Sequence, residues 1–325
     1  MKVYHLFFIL FLISCSQKKG STTTTVLNTT VNKIDSIKNT SIVILGTIQD
    51  AGSPQIGCNK KCCVNLFENP DNNRQVISLG VVDTPNDKTY LFEATPDIGK
   101  QMKKLTNFKT GDRTEFVDGI FLTHAHIGHY AGLMFLGKEA TNATNIPVFA
   151  MPRMKEYLIN NGPWSQLITR KNIVLNEMKD EKTIHLSNTL KVTPFLVPHR
   201  DEYSETVGYK ITGPNKSALF IPDIDKWNKW NKNIIDEIKK VDYAFLDATF
   251  YSGKEINNRD ITQIPHPFII ESLEKFKDIN ETEKNKIVFI HFNHTNPVIN
   301  PNSDEAKMVK KQGFRIGEIY DTFEL

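Results

Sequence analysis

The chain of 325 residues lacks an excess of either charge: 40 Lys and Arg stand against 37 Asp and Glu, for a formal charge of +3. The basic residues are scattered rather than gathered into one stripe, so the footprint of a nucleic-acid-binding surface is missing. Cysteine is scarce, four in all, and beyond Cys15 only Cys58, Cys62 and Cys63 remain. A long apolar run is missing too, because the mostly apolar stretch from Val3 to Ile13 is too short to span a bilayer as a permanent helix. No internal repeat of fixed period and no second linker breaks the later chain. What is present is an apolar fraction of 39%, ordinary for a globular protein with a real core. That excludes disorder for most of the chain and leaves room for one large α/β domain or two small ones.

The first residues read as a short basic end, Met1-Lys2, then a signal-length apolar run, then Ser14-Cys15. The segment Leu12-Ile13-Ser14-Cys15 resembles the bacterial lipobox, in which the cysteine is acylated and becomes the new N-terminus. A plain cleaved signal or a buried N-terminal strand is the alternative. From Ser16 to Lys38 the chain is rich in Ser, Thr, Asn and Lys and cannot bury a core, so it reads as a tether. The expected layout is a lipoprotein signal peptide over 1–15, a flexible tether over 16–38 and one domain over 39–325, held by its lipid in the cell envelope, periplasmic or surface-facing.

Three cysteines in the domain is an odd number. One disulfide would strand a free thiol, and a bridge between the adjacent Cys62 and Cys63 would strain the backbone. A thiolate metal site uses all three; three unliganded thiols are the alternative. Short apolar and β-branched runs predict strands at 42–47, 76–82, 89–94, 119–123, 146–150, 190–197, 206–211, 218–221, 243–246 and 286–290. Helical patterns fall at 97–105, 130–136, 268–276 and 303–311, so helices are expected to cover two strand-rich layers.

All but one of the nine histidines lie beyond the leader, and three crowd into Thr123-His124-Ala125-His126-Ile127-Gly128-His129, directly after a predicted strand. In extended chain, residues two apart point to one side, so His124 and His126 can share an ion while His129 reaches round from the next helix start. Neutral imidazoles at this spacing suit zinc, iron or manganese. One loop cannot surround an ion, and His199, Asp223 and His291 each stand just past another apolar strand.

The order strand-His-x-His-x-x-His, strand-His, strand-Asp, strand-His resembles the metallo-β-lactamase superfamily. The blocks Gly46-Thr47, Ser53-Pro54-Gln55, the cysteine group, Thr95-Pro96-Asp97-Ile98, Asn258-Arg259-Asp260 and His294-Thr295-Asn296-Pro297 are further similar to the B-protein family of pyrroloquinoline quinone (PQQ) biosynthesis. The resemblance implies an α/β fold of the αββα type, a four-layer sandwich of two sheets face to face with helices outside. It implies His124, His126 and His199 for a first metal, Asp223 as the bridging carboxylate, and His129 with His291 for a second. One position departs from the superfamily pattern. Gly128 replaces the usual aspartate before the third histidine, so the second ion loses an oxygen ligand, which leaves open a weak or absent second metal or a mononuclear iron site. The chain also keeps the complete His124-x-His126 pair that the quinone-biosynthesis proteins tend to lack.

Cys58, Cys62 and Cys63 with His294 are similar to the structural zinc site of phosphonate-pathway cyclic phosphodiesterases, although the Cys58-x3-Cys62-Cys63 spacing differs. The resemblance also puts a proton-donating histidine at His266. Asp247 and Glu93, at strand ends, are candidates to orient ligand histidines from behind, or are exposed carboxylates. Arg200 either holds an anionic substrate group or pairs with its acidic neighbours; His185 reads as surface. The expected function is a metal-dependent hydrolase of a phosphodiester, lactone or other small ester, using metal-bound hydroxide and His266 as leaving-group acid. Its cofactors are one or two active-site ions, zinc by preference, and one structural zinc. The alternatives are an iron-dependent oxygenase or oxidase in PQQ-type cofactor formation, and a non-catalytic metal- or cofactor-binding lipoprotein. The partners expected are a small-molecule substrate and, through the lipid, a membrane.

Overall fold

A computed structural model of the chain describes residues 37–109, 111, 115–257 and 259–325. The expected leader with Cys15, the expected tether apart from Ile37 and Lys38, and Asn258 lie outside the described residues. No described helix is long and apolar enough to cross a membrane.

Fourteen strands among the described residues form two seven-stranded sheets. The first sheet contains β1 (Ser41–Gly46), β2 (Ser78–Asp83), β3 (Lys88–Phe92), β4 (Gly119–Phe121), β5 (Ile146–Ala150) and β6 (Ile173–Glu177). The second contains β7 (Ile184–His185), β8 (Lys191–Leu196), β9 (Val207–Thr212), β10 (Ser217–Ile221), β11 (Tyr243–Asp247), β12 (Ile287–Ile290) and β13 (Arg315–Ile316). The last strand, β14 (Thr322–Glu324), returns to the first sheet and pairs antiparallel with β1. Each sheet has an antiparallel half and a parallel half: β3 to β6 run parallel in one, and β10 to β13 in the other.

The layering follows from the two-residue period of the strands. Along β1, Ile42 and Ile44 face one cluster of buried side chains while Val43 and Leu45 face another. Along β12, Val288 and Ile290 enter the same inter-sheet cluster as Ile42, and Ile287 and Phe289 point away into a third. Three clusters therefore fill the three gaps of a four-layer αββα sandwich. The inter-sheet layer is aromatic, with Phe92 stacked on Phe121 and Tyr209 and Phe220 edge-on to Phe92. Helix Ile98–Thr106 covers the first sheet, and helices Ile269–Lys275 and Asp304–Lys311 cover the second.

The helix expected at 130–136 takes another form: one α-turn, Ile127–Tyr130, followed by a 3-10 segment, Ala131–Leu136. Tertiary hydrogen bonds impose this. The amide of Ala94 donates to the carbonyl of His129 at 2.9 Å, and the amide of Gly132 to the carbonyl of Ala94 at 2.8 Å, pinning the turn to the end of β3.

One edge of the sandwich collects the chain leaving β3, β4, β10, β11 and β12. The two sheets are stitched there by Ile48, which bridges in parallel to Val76 ahead of β2 and to Phe292 after β12.

Candidate metal centre

After β4 the chain stays extended through Thr123 and His124, and the amide of Val207 donates to the carbonyl of Thr123 at 3.2 Å. The amide of Ala125 donates to the Ser204 hydroxyl at 2.8 Å. These anchors turn His124 and His126 to one side, with His124 Nε2 and His126 Nδ1 2.8 Å apart. His199, just past β8, joins them, so one ring nitrogen from each of the three lies within 4.8 Å of the others. His129, from the single helical turn, and His291, just past β12, converge on Asp223. Asp223 Oδ2 stands 3.0 Å from His129 Nε2 and 3.2 Å from His291 Nε2, and its Oδ1 is 3.6 Å from His199 Nε2.

Apart from the His124–His126 contact, these close approaches are not hydrogen bonds. Asp223 Oδ2, His291 Nε2 and both ring nitrogens of His199 are buried without a hydrogen-bond partner. Leaving such groups unpaired costs on the order of 1–3 kcal/mol each, and native interiors seldom tolerate it. Lone pairs of imidazoles and a carboxylate aimed at shared space are the donor set of a cation site, so the residues present fit divalent metal.

Charge supports that fit. Burial, reinforced by the neighbouring ring of His129, holds His124 well below the ordinary histidine range, and burial pushes His199 down to about 4. Both rings are then neutral and available as ligands. Burial opposes the charge on Asp223, but the rings of His291 and His129 outweigh it and hold the carboxyl well below its usual range. His129 goes the other way: burial disfavours its charge, and Glu93 with Asp223 raise it well above the ordinary value.

Two hydroxyl relays stand behind the ligands. Thr123 Oγ1 donates to Glu93 Oε1 at 2.5 Å and lies 2.9 Å from His124 Nδ1. Thr249 Oγ1 donates to Asp247 Oδ1 at 2.7 Å and lies 2.8 Å from His291 Nδ1. With each threonine proton committed to a carboxylate, each histidine donates from Nδ1 and presents its Nε2 lone pair to the centre. Glu93 and His291 adopt positive φ, 77° and 65°, a conformation non-glycine residues seldom take and one that clusters at functional sites.

Away from this centre, Cys63 Sγ and Cys62 Sγ lie 3.2 and 3.5 Å from His294 Nδ1, and Cys58 Sγ lies 3.9 Å from Cys62 Sγ. A disulfide needs about 2.05 Å between sulfurs, and the three cysteines are free. Tetrahedral zinc with sulfur at ~2.3 Å sets neighbouring sulfurs about 3.8 Å apart, close to the spacing seen.

The sequence profile of the beta-lactamase superfamily domain matches residues 88–292. The chain belongs to this superfamily. Among its relatives, Coenzyme PQQ synthesis protein B of Methylorubrum extorquens (strain PA1) is 24% identical over 314 residues, covering 87% of this chain and 99% of the relative. The crystal structure of Zn2+-bound PqqB from Methylobacterium extorquens superimposes with a TM-score of 0.71 at 22% identity, over 88% of this chain and all of that one. A diphosphatase of the PhnP family gives 0.62 at 19% identity, over 88% and 97% of the two chains.

Every residue that the superfamily pattern assigned to metal falls at this one edge, and Cys58, Cys62, Cys63 and His294 form a separate cluster. His266 is buried beside both carboxylates, its Nδ1 2.8 Å from Asp247 Oδ2 and 3.6 Å from Asp223 Oδ1. Glu93 and Asp247 are buried rather than exposed. Arg200 lies 3.8 Å from Glu202 Oε1, so it pairs with its acidic neighbour, and Glu202 Oε2 in turn lies 3.2 Å from His126 Nε2. His185 is exposed on β7, away from the centre. Sequence reasoning missed Asp50, one carboxylate oxygen of which lies within 4.8 Å of ring nitrogens of His129 and His291. It stands in no histidine motif, and no spacing rule points to it. Gly128, in place of the usual aspartate, was the sequence feature that marked the second site as altered.

Proposed function

We propose that this chain is a metal-dependent hydrolase of a small phosphodiester, lactone or related ester, with zinc as the metal it carries. The observation that supports this best is the pair of adjacent ligand sets sharing Asp223, with a titratable ring beside them. His124, His126 and His199 would hold one ion and His129 and His291 the other, with Asp223, whose oxygens lie 3.0–4.0 Å from ring nitrogens of His124, His199, His129 and His291, shared by both. When bound, such ions lower the pKa of a coordinated water toward neutrality and polarise the scissile group.

The chain's own groups supply the rest. Burial works against a charged His266, but Asp247 more than offsets it and raises the ring above the ordinary histidine value. Asp247 thus favours the protonated form of His266. Because Nδ1 is held by Asp247, that proton leaves from Nε2 to the departing oxygen. The cysteine cluster with His294 would take a closed structural zinc that fixes the 47–75 segment against the chain after β12. The leader supports a lipid anchor at Cys15, which would hold the enzyme in the cell envelope.

A second reading, an iron-dependent oxygenase or oxidase in PQQ-type cofactor formation, is favoured by the likeness to PQQ synthesis protein B along almost the whole of that relative. One experiment separates the two. The full chain, loaded in turn with zinc, manganese and iron, is offered bis(p-nitrophenyl) phosphate, p-nitrophenyl esters and simple lactones, with oxygen uptake followed in parallel. Hydrolysis that a chelator abolishes, and that His266→Ala lowers by roughly 10²–10⁴-fold at unchanged metal content, supports the hydrolase. Full metal with no hydrolysis of any substrate contradicts it, and oxygen uptake by the iron form alone favours the second reading.

A further inference from the structure

Gly128 occupies the position where the superfamily pattern expects an aspartate, and another carboxylate fills the space it leaves. A Cβ placed on Gly128 would stand 2.2 Å from the Cβ of Asp50, 2.6 Å from its Cα and 2.7 Å from its carbonyl oxygen. Backbone cannot yield to such overlap, so a side chain at 128 and the present path of the Asp50 loop exclude each other.

The loop is tied into that path. Two residues before Asp50, Ile48 bridges to both Val76 and Phe292. The amide of Gln49 donates to the carbonyl of Phe292 at 2.9 Å, and the amide of Phe292 to the carbonyl of Thr47 at 2.7 Å. Phe292 follows His291 directly, so this ladder carries Asp50 up beside the ring of His291. The Gln49 side-chain amide donates to Asp50 Oδ1 and steadies the carboxylate. One Asp50 oxygen and one ring nitrogen each of His129 and His291 lie within 4.8 Å of one another, and His291 Nε2 is a buried atom with no hydrogen-bond partner.

We propose that Asp50 replaces, from a different strand end, the carboxylate missing at position 128, and completes the second metal site with His129, His291 and Asp223. The inference rests on the two-ion reading above. It overturns the expectation that Gly128 leaves the second site short of an oxygen ligand: the ligand has moved to the loop after β1, and Gly128 is the condition for its approach. Two carboxylates balance the charge of a divalent cation, a favourable arrangement in a buried site whose two imidazoles bind it through ring nitrogens.

The test is a metal count on the full chain, loaded with Zn2+, desalted and measured by elemental mass spectrometry, with a thermal melt to report folding. Asp50→Asn should hold one ion fewer than wild type while keeping the thiolate-bound ion, which is identified by its loss in Cys62→Ala. The exchange variant Asp50→Gly with Gly128→Asp should regain the missing ion, because it returns the carboxylate to position 128 and removes the side chain it would meet. Asp50→Asn with the wild-type count overturns the inference. So does a folded exchange variant that stays one ion short. Wild type holding only one ion beyond the thiolate-bound one fails the two-ion reading itself, and this inference falls with it.

Discussion

The Thr249 hydroxyl stands 2.8 Å from His291 Nδ1 and donates its own proton to Asp247 at 2.7 Å. It thereby fixes which nitrogen of His291 faces the metal centre. Thr249→Val keeps the shape and removes the relay, so zinc affinity of the second site should fall by about 10–100-fold, with Thr249→Ser restoring most of it. Calorimetric zinc titration of the three proteins checks this. An unchanged affinity in the valine variant would show that the hydroxyl does not orient His291.

The sulfur cluster ties the segment after β1 to His294, just beyond β12, so its metal should act on stability rather than turnover. Cys63→Ser should lower Tm by roughly 5–10 °C, at ~2–4 °C per kcal/mol, and should open the 49–75 segment to limited proteolysis while the histidine-bound ions remain. Equal melting curves for variant and wild type would contradict a structural zinc.

Much of this was legible in advance, because strand alternation and histidine order are local signals. The strand ends that bear His124, His199, Asp223 and His291 all lie in or next to strongly apolar runs, so periodicity located them. What could not be read depends on tertiary partners. The short strands β7, β13 and β14 have too few residues to show a period, and the 130–136 segment took its form from hydrogen bonds to the end of β3. Asp50 is the clearest instance: its place beside His129 and His291 follows from a bridge between Ile48 and Phe292, residues distant in sequence.

Glu255 provides a pH test outside the histidine centre. Burial raises its carboxyl from 4.5 to about 7, although the amides of Ser252 and Tyr251 favour the charged form. A folded value above the unfolded one means that the folded state holds the proton more tightly. The associated stability is thus fully present below pH 4.5 and is lost as pH rises through about 7. Glu255→Gln should match wild type near pH 4.5 and exceed it at pH 8, by at most ~3 kcal/mol. Chemical denaturation of both proteins at the two pH values checks this; a gap that does not widen with pH would contradict it.

The leader carries its own prediction. Cys15→Ser should abolish labelling by a radioactive fatty acid and release the chain from the membrane fraction of a cell that processes lipoproteins. Membrane association that survives the change would point to a retained N-terminal anchor of another kind.

Separate active and thiolate metal sites are tested most directly by the metal content of the anaerobically purified chain, beside His199→Ala and Cys62→Ala. Wild type should carry more metal than either variant, His199→Ala losing ions from the histidine centre and keeping the thiolate-bound one, and Cys62→Ala the reverse. Wild type that arrives without metal and takes up no zinc, iron or manganese would contradict the metal-dependent hydrolase and leave only the fold.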